Sequence, residues 1–184
     1  MITSNTLEKA IKFAVKAHRG QKRKGDKRPY IMHPISVMTT LYSIKESDNL
    51  YLLAAAAVLH DTVEDCGISL KKIAKKFGHS VAALVGELTL NKDEYSRVGK
   101  TAYLCEEVVK MSSYALCIKL CDRLDNVRDM KKMDEEFKIK YKIETVAIIN
   151  AIHAKRKNVT DTHSKIIKLI EEAISEIKLP TISA

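Results

Sequence analysis

Residues 54–66 read AAAAVLHDTVEDC, and the apolar run that leads into them starts at Leu52. Eight apolar residues, Leu52 to Leu59, thus run straight into a histidine and three carboxylates. The run is too short to separate a buried helix from a buried strand by periodicity. Its four consecutive alanines, the strongest helix formers, decide for helix. A helix that is apolar all round predicts burial on several sides, at the centre of a fold. His60, Asp61, Glu64 and Asp65 then stand at the mouth of the core. If the helix continues through them, His60 and Glu64 share one face and Asp61 and Asp65 the next. Carboxylates so close repel one another and resist desolvation, and a divalent cation offsets both. The competing reading is a surface helix end with solvated acids.

Helical spacing governs the rest of the chain. There are only six glycines and three prolines, and strand-like alternation is rare. Leu7, Ala10, Ile11, Ala14 and Val15 form one stripe, with Thr3, Ser4 or Asn5 able to cap it. Pro34 suits the first turn of a helix carrying Ile35, Met38, Leu41 and Tyr42. Asp48 and Asn49 flank the central run as cap candidates. Ser69 starts SLKKIAKKFG and Gly78 ends it. His79 to Leu88 reads as a short apolar helix, and residues 90–96 (LNKDEYS) as a loop. Further helices are predicted over Arg97–Met111, Ala115–Met130, Glu135–Lys155 and Ser164–Ile177. Connections vary too much in length for an up-down bundle. The expectation is a compact all-α fold of about eight to nine helices, with no internal repeat or low-complexity linker.

Composition narrows the function classes. The 184 residues suffice for one domain with a sizeable core. Met1 to Leu7 lacks the basic start and apolar block of a signal peptide. No segment approaches the roughly 18–20 apolar residues of a membrane span, so a soluble, cytoplasmic protein is expected, with no membrane partner. Cys66, Cys105, Cys117 and Cys121 read as free thiols; Cys117 and Cys121 sit one helical turn apart, but no second pair completes a zinc site. A net charge of +9 favours anionic partners. Aromatic content is 5%, without tryptophan, so the stacking platforms of single-strand binding are missing and nucleic acid is not expected as a partner. Lys71–Lys72 and Lys75–Lys76 fit a solvated helix face. His18 reads as ordering its loop, and His79, His153 and His163 as structural. The sequence leaves a homo-oligomer open.

Two distant residues complete a ligand set. His33 lies in PYIMHPI, just before a helix, and Asp122 in ALCIKLCDRLDN, at the end of an apolar stretch. His33, His60, Asp61 and Asp122 offer two imidazoles and two carboxylates, whose two negative charges balance one divalent ion. Nitrogen and oxygen donors suit Mn²⁺, Fe²⁺ or Co²⁺. Four protein ligands leave positions for water and a substrate oxygen. The stretch HRGQKRKGDKR, residues 18–28, carries six Lys/Arg and two glycines without apolar periodicity. It reads as a loop placed to hold phosphates, with a solvated basic loop or an RNA-binding patch as the alternatives.

H…HD…D in this helical setting resembles the HD superfamily of metal-dependent phosphohydrolases. AHRGQKRKGDKRPYIMHPI, AAVLHDTVEDCGISLKKIAKKFG and IKLCDRLDNVRDM resemble three successive blocks of the (p)ppGpp hydrolase domain of RelA/SpoT-type enzymes. The small, single-domain alarmone hydrolases of the metazoan type carry the same blocks. The resemblance runs from about Leu7 to Lys155. It implies one HD-type hydrolase domain over 1–184, with motifs in 7–155 and a C-terminal helical extension, 156–184, packing on it.

The resemblance also implies roles. His33, His60, Asp61 and Asp122 fall on the metal ligands, which in the family hold Mn²⁺. Glu64 and Asp65 fall on the acidic pair that activates the attacking water. Arg23 and Lys24 fall on the basic pair against the nucleotide, and Asn126 on a polar nucleotide contact. Lys27 and Arg28 are left as solvated. Asp125 departs from the histidine or tyrosine of many relatives, and Cys66 from a frequent threonine. The implied reaction, part of alarmone turnover in the stringent response, is hydrolysis of ppGpp or pppGpp to GDP or GTP and pyrophosphate by a metal-activated water. Two alternatives stand beside it. One is another HD phosphohydrolase acting on NADPH or a different phosphorylated nucleotide, kept open by Asp125. The other is a non-catalytic nucleotide- or RNA-binding module, against which the intact acidic pair argues.

Overall fold

The alanine run is helical, and every residue from Leu53 to Leu59 is fully buried. The computed structural model describes residues 2–177, and among them eleven α-helices follow one another with no strand. They begin with α1 (Ser4–Ala17), α2 (Met32–Ile44), α3 (Leu50–Leu59), α4 (Thr62–Cys66) and α5 (Leu70–Phe77). Next come α6 (His79–Leu88), α7 (Lys92–Val98), α8 (Lys100–Lys110) and α9 (Ser113–Asp129). A 3-10 turn (Met130–Lys132) leads to α10 (Glu135–Lys155) and α11 (Asp161–Ser175). Nine of the eleven have eight residues or more, in line with the expected count; α4 and α7 are the short ones.

The central post is α3. Helices α1, α2, α6 and α9 all pack against it, which is why its sequence has no polar face. Helix α5 pairs with α6, α8 with α10, and α9 carries α2 on one side and α11 on another. Helix α11 packs on α9; residues 178–184 of the expected C-terminal extension lie outside the described residues.

Local signals set most boundaries. The Ser69 side chain accepts the Lys72 N–H at the start of α5, and Gly78 ends that helix at φ 94°. Ser112 and Asp134 cap α9 and α10 in the same way. Helix α11 starts earlier than the predicted Ser164, because Thr160 and His163 form a reciprocal capping box. His163 is thus structural, as expected, and its Nε2 also lies 2.9 Å from the Ser113 carbonyl.

Residues 90–96 are not a loop throughout. Asn91 accepts the Glu94 N–H at 3.2 Å, two acids follow in the first turn, and α7 forms with no buried side chain. Gly99, at φ 90°, then separates α7 from α8, so the helix predicted from Arg97 begins at Lys100.

The larger departure is at the end of α3, which does not continue through His60 and Asp61. The His60 ring takes the Ala57 carbonyl at 2.7 Å, and the Thr62 hydroxyl takes that of Leu59 at 2.7 Å. These side chains satisfy carbonyls the next turn would have used, and α4 starts afresh. Gly67, in the left-handed region at φ 64°, ends α4 after one turn.

Candidate active site

The His60 ring is fixed by its own helix. A carbonyl only accepts, so Nδ1 carries the proton donated to Ala57, and Nε2 presents a lone pair. That Nε2 is buried and makes no hydrogen bond. Asp61 Oδ2 lies 3.0 Å away but outside hydrogen-bonding direction.

His33, in the first turn of α2, is set the same way. Its Nδ1 donates to Asp125 Oδ2 at 2.6 Å, which leaves Nε2 facing Asp122 Oδ1 at 3.2 Å and Asp61 Oδ2 at 3.7 Å. Ligand atoms of His33, His60 and Asp122 lie within 4.8 Å of one another, and all three residues are buried. Two imidazole Nε2 atoms and the Asp122 carboxylate thus come together from α2, the end of α3 and α9; Asp61 Oδ2 lies 3.0 Å from His60 Nε2 and 3.7 Å from His33 Nε2 but outside that mutually close group. An orphaned buried nitrogen aimed at carboxylates is the donor geometry a divalent cation requires. His33, His60 and Asp122 fit such an ion, and Asp61 Oδ2 flanks them.

Charge around the cluster is held by neighbours. Lys119 contacts Asp122 Oδ2 at 2.9 Å, and Asn126 donates to Asp122 Oδ1 at 2.5 Å. The Tyr30 hydroxyl donates to Asp61 Oδ2 at 2.6 Å, and burial together with Asp61 keeps that phenol protonated far above the usual range. Burial opposes a charge on Asp61 and Asp122. The facing imidazoles, and Lys119 beside Asp122, nonetheless hold both carboxyls below the usual carboxylate range. Burial also opposes a charged His33, yet the Asp122 and Asp125 carboxylates outweigh it and push its pKa up to about 9.

Asp125, the residue that departs from the resemblance, thus has a structural role. It orients His33, accepts the Ser36 hydroxyl, and lies 3.6 Å from the Arg23 guanidinium. It does not line the cavity. Removing such an outer partner weakens a metal site roughly 10–100-fold. Asp125→Ala is therefore expected to raise the metal dissociation constant by that factor with all four ligands intact, as measured by chelator competition.

The cluster opens into a cavity of about 280 Å³ lined by Tyr30, His33, Asp61, Glu64, Asp65 and Asp122, among others. Glu64 and Asp65 thus share the cavity with the cluster, although α4 rather than a continued α3 delivers them. Glu64 Oε2 accepts the Leu90 N–H at 3.4 Å, and Gln21 donates to the Asp65 carbonyl at 3.2 Å. The cavity lining also includes residues the sequence did not single out: Lys100, Lys119, Arg123 and Tyr141. Arg123 is buried, paired with Glu144 at 2.8 Å, and lies over the Tyr141 ring at 4.5 Å.

The basic loop does not hang free. Arg23 donates to Asn126 at 2.9 Å and to Asp129 at 3.1 Å. Arg28, expected to be solvated, pairs with Asp129 at 2.8 Å and with Asp26. Gly25 sits at φ 86°, where an added Cβ would meet Met133 at 3.0 Å, so the loop lies close on the chain after α9. Arg23 and Lys24 line a second cavity of about 140 Å³ with Phe137, and Lys24 lies over that ring at 4.8 Å. Asn126 and Tyr141 belong to both cavities, so the two adjoin. The remaining expectation for this region holds: His18 is buried against Gln21 and Cys66 and faces no ligand atom of the cluster.

Comparison with known proteins agrees with this geometry. Residues 10–160 match the HD domain family. A GTP pyrophosphokinase of Streptomyces coelicolor is 39% identical over 150 residues, which are 79% of this chain but 17% of that protein. The chain therefore spans about a fifth of the long relatives it matches. The guanosine-3′,5′-bis(diphosphate) 3′-pyrophosphohydrolase MESH1 of Homo sapiens is 36% identical over 131 residues, 71% of this chain and 72% of that one. A solved structure of a metazoan ortholog of SpoT that hydrolyses ppGpp superposes with a TM-score of 0.75 at 28% identity, covering 95% of this chain and 97% of its own. With its motif residues gathered around one candidate cation site, the chain belongs to the HD-domain family.

Proposed function

We propose that this chain is a Mn²⁺-dependent pyrophosphohydrolase of ppGpp and pppGpp, yielding GDP or GTP and pyrophosphate, and that residues 1–184 act as one cytoplasmic HD-type domain. One observation carries the reading: the buried, orphaned Nε2 of His60 lies 3.0 Å from Asp61 and 3.9 Å from Asp122, and those two carboxylates line a cavity together with Glu64 and Asp65. The MESH1 relatives and the superposed structure, which act on this nucleotide, support it.

The division of labour follows from the geometry. A divalent ion held by His33, His60, Asp61 and Asp122 supplies Lewis-acid polarisation of a phosphoryl oxygen and eases deprotonation of water. Glu64 or Asp65 takes the proton of the attacking water. Lys100 and Lys119 face the phosphates across the cavity. The nucleoside extends into the adjoining cavity, against Arg23, Lys24 and Asn126. The bond from the ribose 3′ oxygen to its diphosphate breaks, water's oxygen joins the departing pyrophosphate, and the 3′ oxygen takes up a proton.

Two rival readings lose support. Asp125, the departing residue that kept NADPH open, contacts His33 and does not line the cavity, which weakens that ground for NADPH. Arg23 and Arg28 are neutralised by Asp129 and Asp26, which weakens a nucleic-acid surface there. Among the described residues no helix is long and apolar enough to cross a membrane.

The deciding experiment incubates Mn²⁺-loaded protein with ppGpp, pppGpp, pApp and NADPH and identifies products by chromatography. Pyrophosphate and GDP from ppGpp are expected; orthophosphate from NADPH alone, or no product from any substrate, overturns the proposal.

Proton release should accompany metal uptake. The folded-state pKa of His33 is raised to about 9, so below that pH the ring carries a proton the ion must displace. His60 is raised too: burial opposes its charge, but Asp61 and Asp122 outweigh it. Apparent Mn²⁺ affinity is expected to rise about tenfold per pH unit for each proton displaced, from neutral pH up to about 9. Titration in weak buffer should register at least one proton released per ion near pH 7.

A further inference from the structure

A cavity of about 540 Å³, against about 280 Å³ for the candidate active site, opens on the other side of α4 between α1 and α5. Phe13 and Ile68 give it an apolar floor, and Cys66 closes it towards α4. Its rim is Lys16 from α1 with Lys72 and Lys76 from α5, and no carboxylate lines it. Lys72 and Lys76 are exposed, as expected of a solvated face, and both ammonium groups lie 5.8 Å from the centre of the one Phe13 ring. Lys12, one turn before Lys16, is paired with Glu8 at 2.5 Å, whereas none of the three rim lysines has a carboxylate partner among the described residues. The Phe13 ring is itself fixed, edge-on to Phe77 at 5.4 Å.

We propose that this cavity is a second ligand site, for a phosphorylated nucleotide. Three exposed ammonium groups line one cavity with no carboxylate among its lining residues, and a ligand with two or more phosphates supplies the missing counter-charge. The volume falls within the range of small-molecule sites, about 300–1,000 Å³. The apolar face that Phe13 and Ile68 give the cavity offers a base a surface to pack on. An inorganic anion would leave that face unused. A nucleic-acid strand would require successive stacking platforms, and only one aromatic ring lines the cavity. The proposal does not depend on what the other cavity hydrolyses.

Metal-free protein is titrated calorimetrically with GTP, ATP and inorganic pyrophosphate, and photolabelled with 8-azido-ATP followed by peptide mapping. Labels are expected on peptides containing residues 13–17 and 66–76. The exposed double variant Lys72→Glu/Lys76→Glu should weaken nucleotide binding at least about tenfold, and Lys16→Ala about threefold, with circular dichroism unchanged. Affinity should fall as salt rises. Labels confined to peptides of the catalytic cavity, or unchanged affinity in both variants, overturn the proposal. Pyrophosphate binding as tightly as GTP removes the nucleoside from it, and tighter binding of single-stranded RNA through the same lysines assigns the surface to nucleic acid instead. Failure of ppGpp hydrolysis would leave these results standing, and their failure would leave the hydrolytic reading standing.

Discussion

Asp61→Asn is expected to lose its Mn²⁺ on gel filtration and to turn over no ppGpp, while remaining folded with a cooperative melt. The substitution is nearly isosteric, and its amide oxygen still accepts the Tyr30 hydroxyl that Asp61 takes at 2.6 Å. What it removes is one of the two charges that balance the ion. The loss in metal affinity should exceed the roughly 10–100-fold cost of losing an outer hydrogen-bond partner. Stability separates this outcome from unfolding. At Mn²⁺ a hundredfold above its dissociation constant, the parent gains about 2.7 kcal/mol from binding alone. At roughly 2–4 °C per kcal/mol for a chain of this size, Mn²⁺ raises the parent's melting temperature by about 5–11 °C. Asp61→Asn should show no such rise. In the absence of metal, and against the burial that opposes its charge, the Asp61 carboxyl is held below its usual range by the imidazoles of His60 and His33. These lose a charged partner, so the variant's own melting temperature should fall somewhat while its transition stays cooperative. An equal Mn²⁺-induced rise in parent and variant would remove Asp61 from the ligand set.

Legibility in the sequence followed the range of the forces involved. Helix α3 could be read because an all-apolar alanine run has one physical solution, burial at the centre. Helices α5, α6 and α10 could be bounded because Ser69, Gly78 and Asp134 act within one turn of themselves. The break after Leu59 could not, since it arises when His60 and Thr62 spend side-chain hydrogen bonds on the carbonyls of Ala57 and Leu59. Helix α7 was hidden by its polarity: seven residues, none buried, held by an Asn91 cap. In the site, the motif residues were legible because their types and spacing carry chemistry. Lys100, Lys119, Arg123 and Tyr141 were not, because only the packing of α8, α9 and α10 brings them to one cavity. Asp125 read as an anomaly by resemblance; its meaning emerged only from the 2.6 Å contact with a ring ninety-two positions away.

Glu64→Gln and Asp65→Asn are expected to divide from the ligand variants in a single respect: each keeps one equivalent of Mn²⁺, and the one that removes the base lowers kcat about 10²–10⁴-fold. Geometry gives this separation. Asp61 lies within 3.7 Å of both imidazole Nε2 atoms, and among the described residues Glu64 and Asp65 make no such contact, yet both line the cavity together with His33, Asp61 and Asp122. Glu64 is the stronger candidate, because it is half-buried and its Oε2 is steadied by the Leu90 N–H at 3.4 Å, whereas Asp65 is exposed. Glutamine accepts the same N–H through its amide oxygen, so the wall keeps its shape and only the capacity to take a proton is lost. A lowered kcat with near-constant KM is therefore the signature for Glu64→Gln, since an interaction used in the transition state has been removed and ground-state binding has not. Asp65→Asn should cost less, through loss of a neighbouring charge. Metal analysis alongside steady-state kinetics checks both halves. Full activity in both variants would leave α4 without a catalytic role and would require another group in the cavity to take the proton.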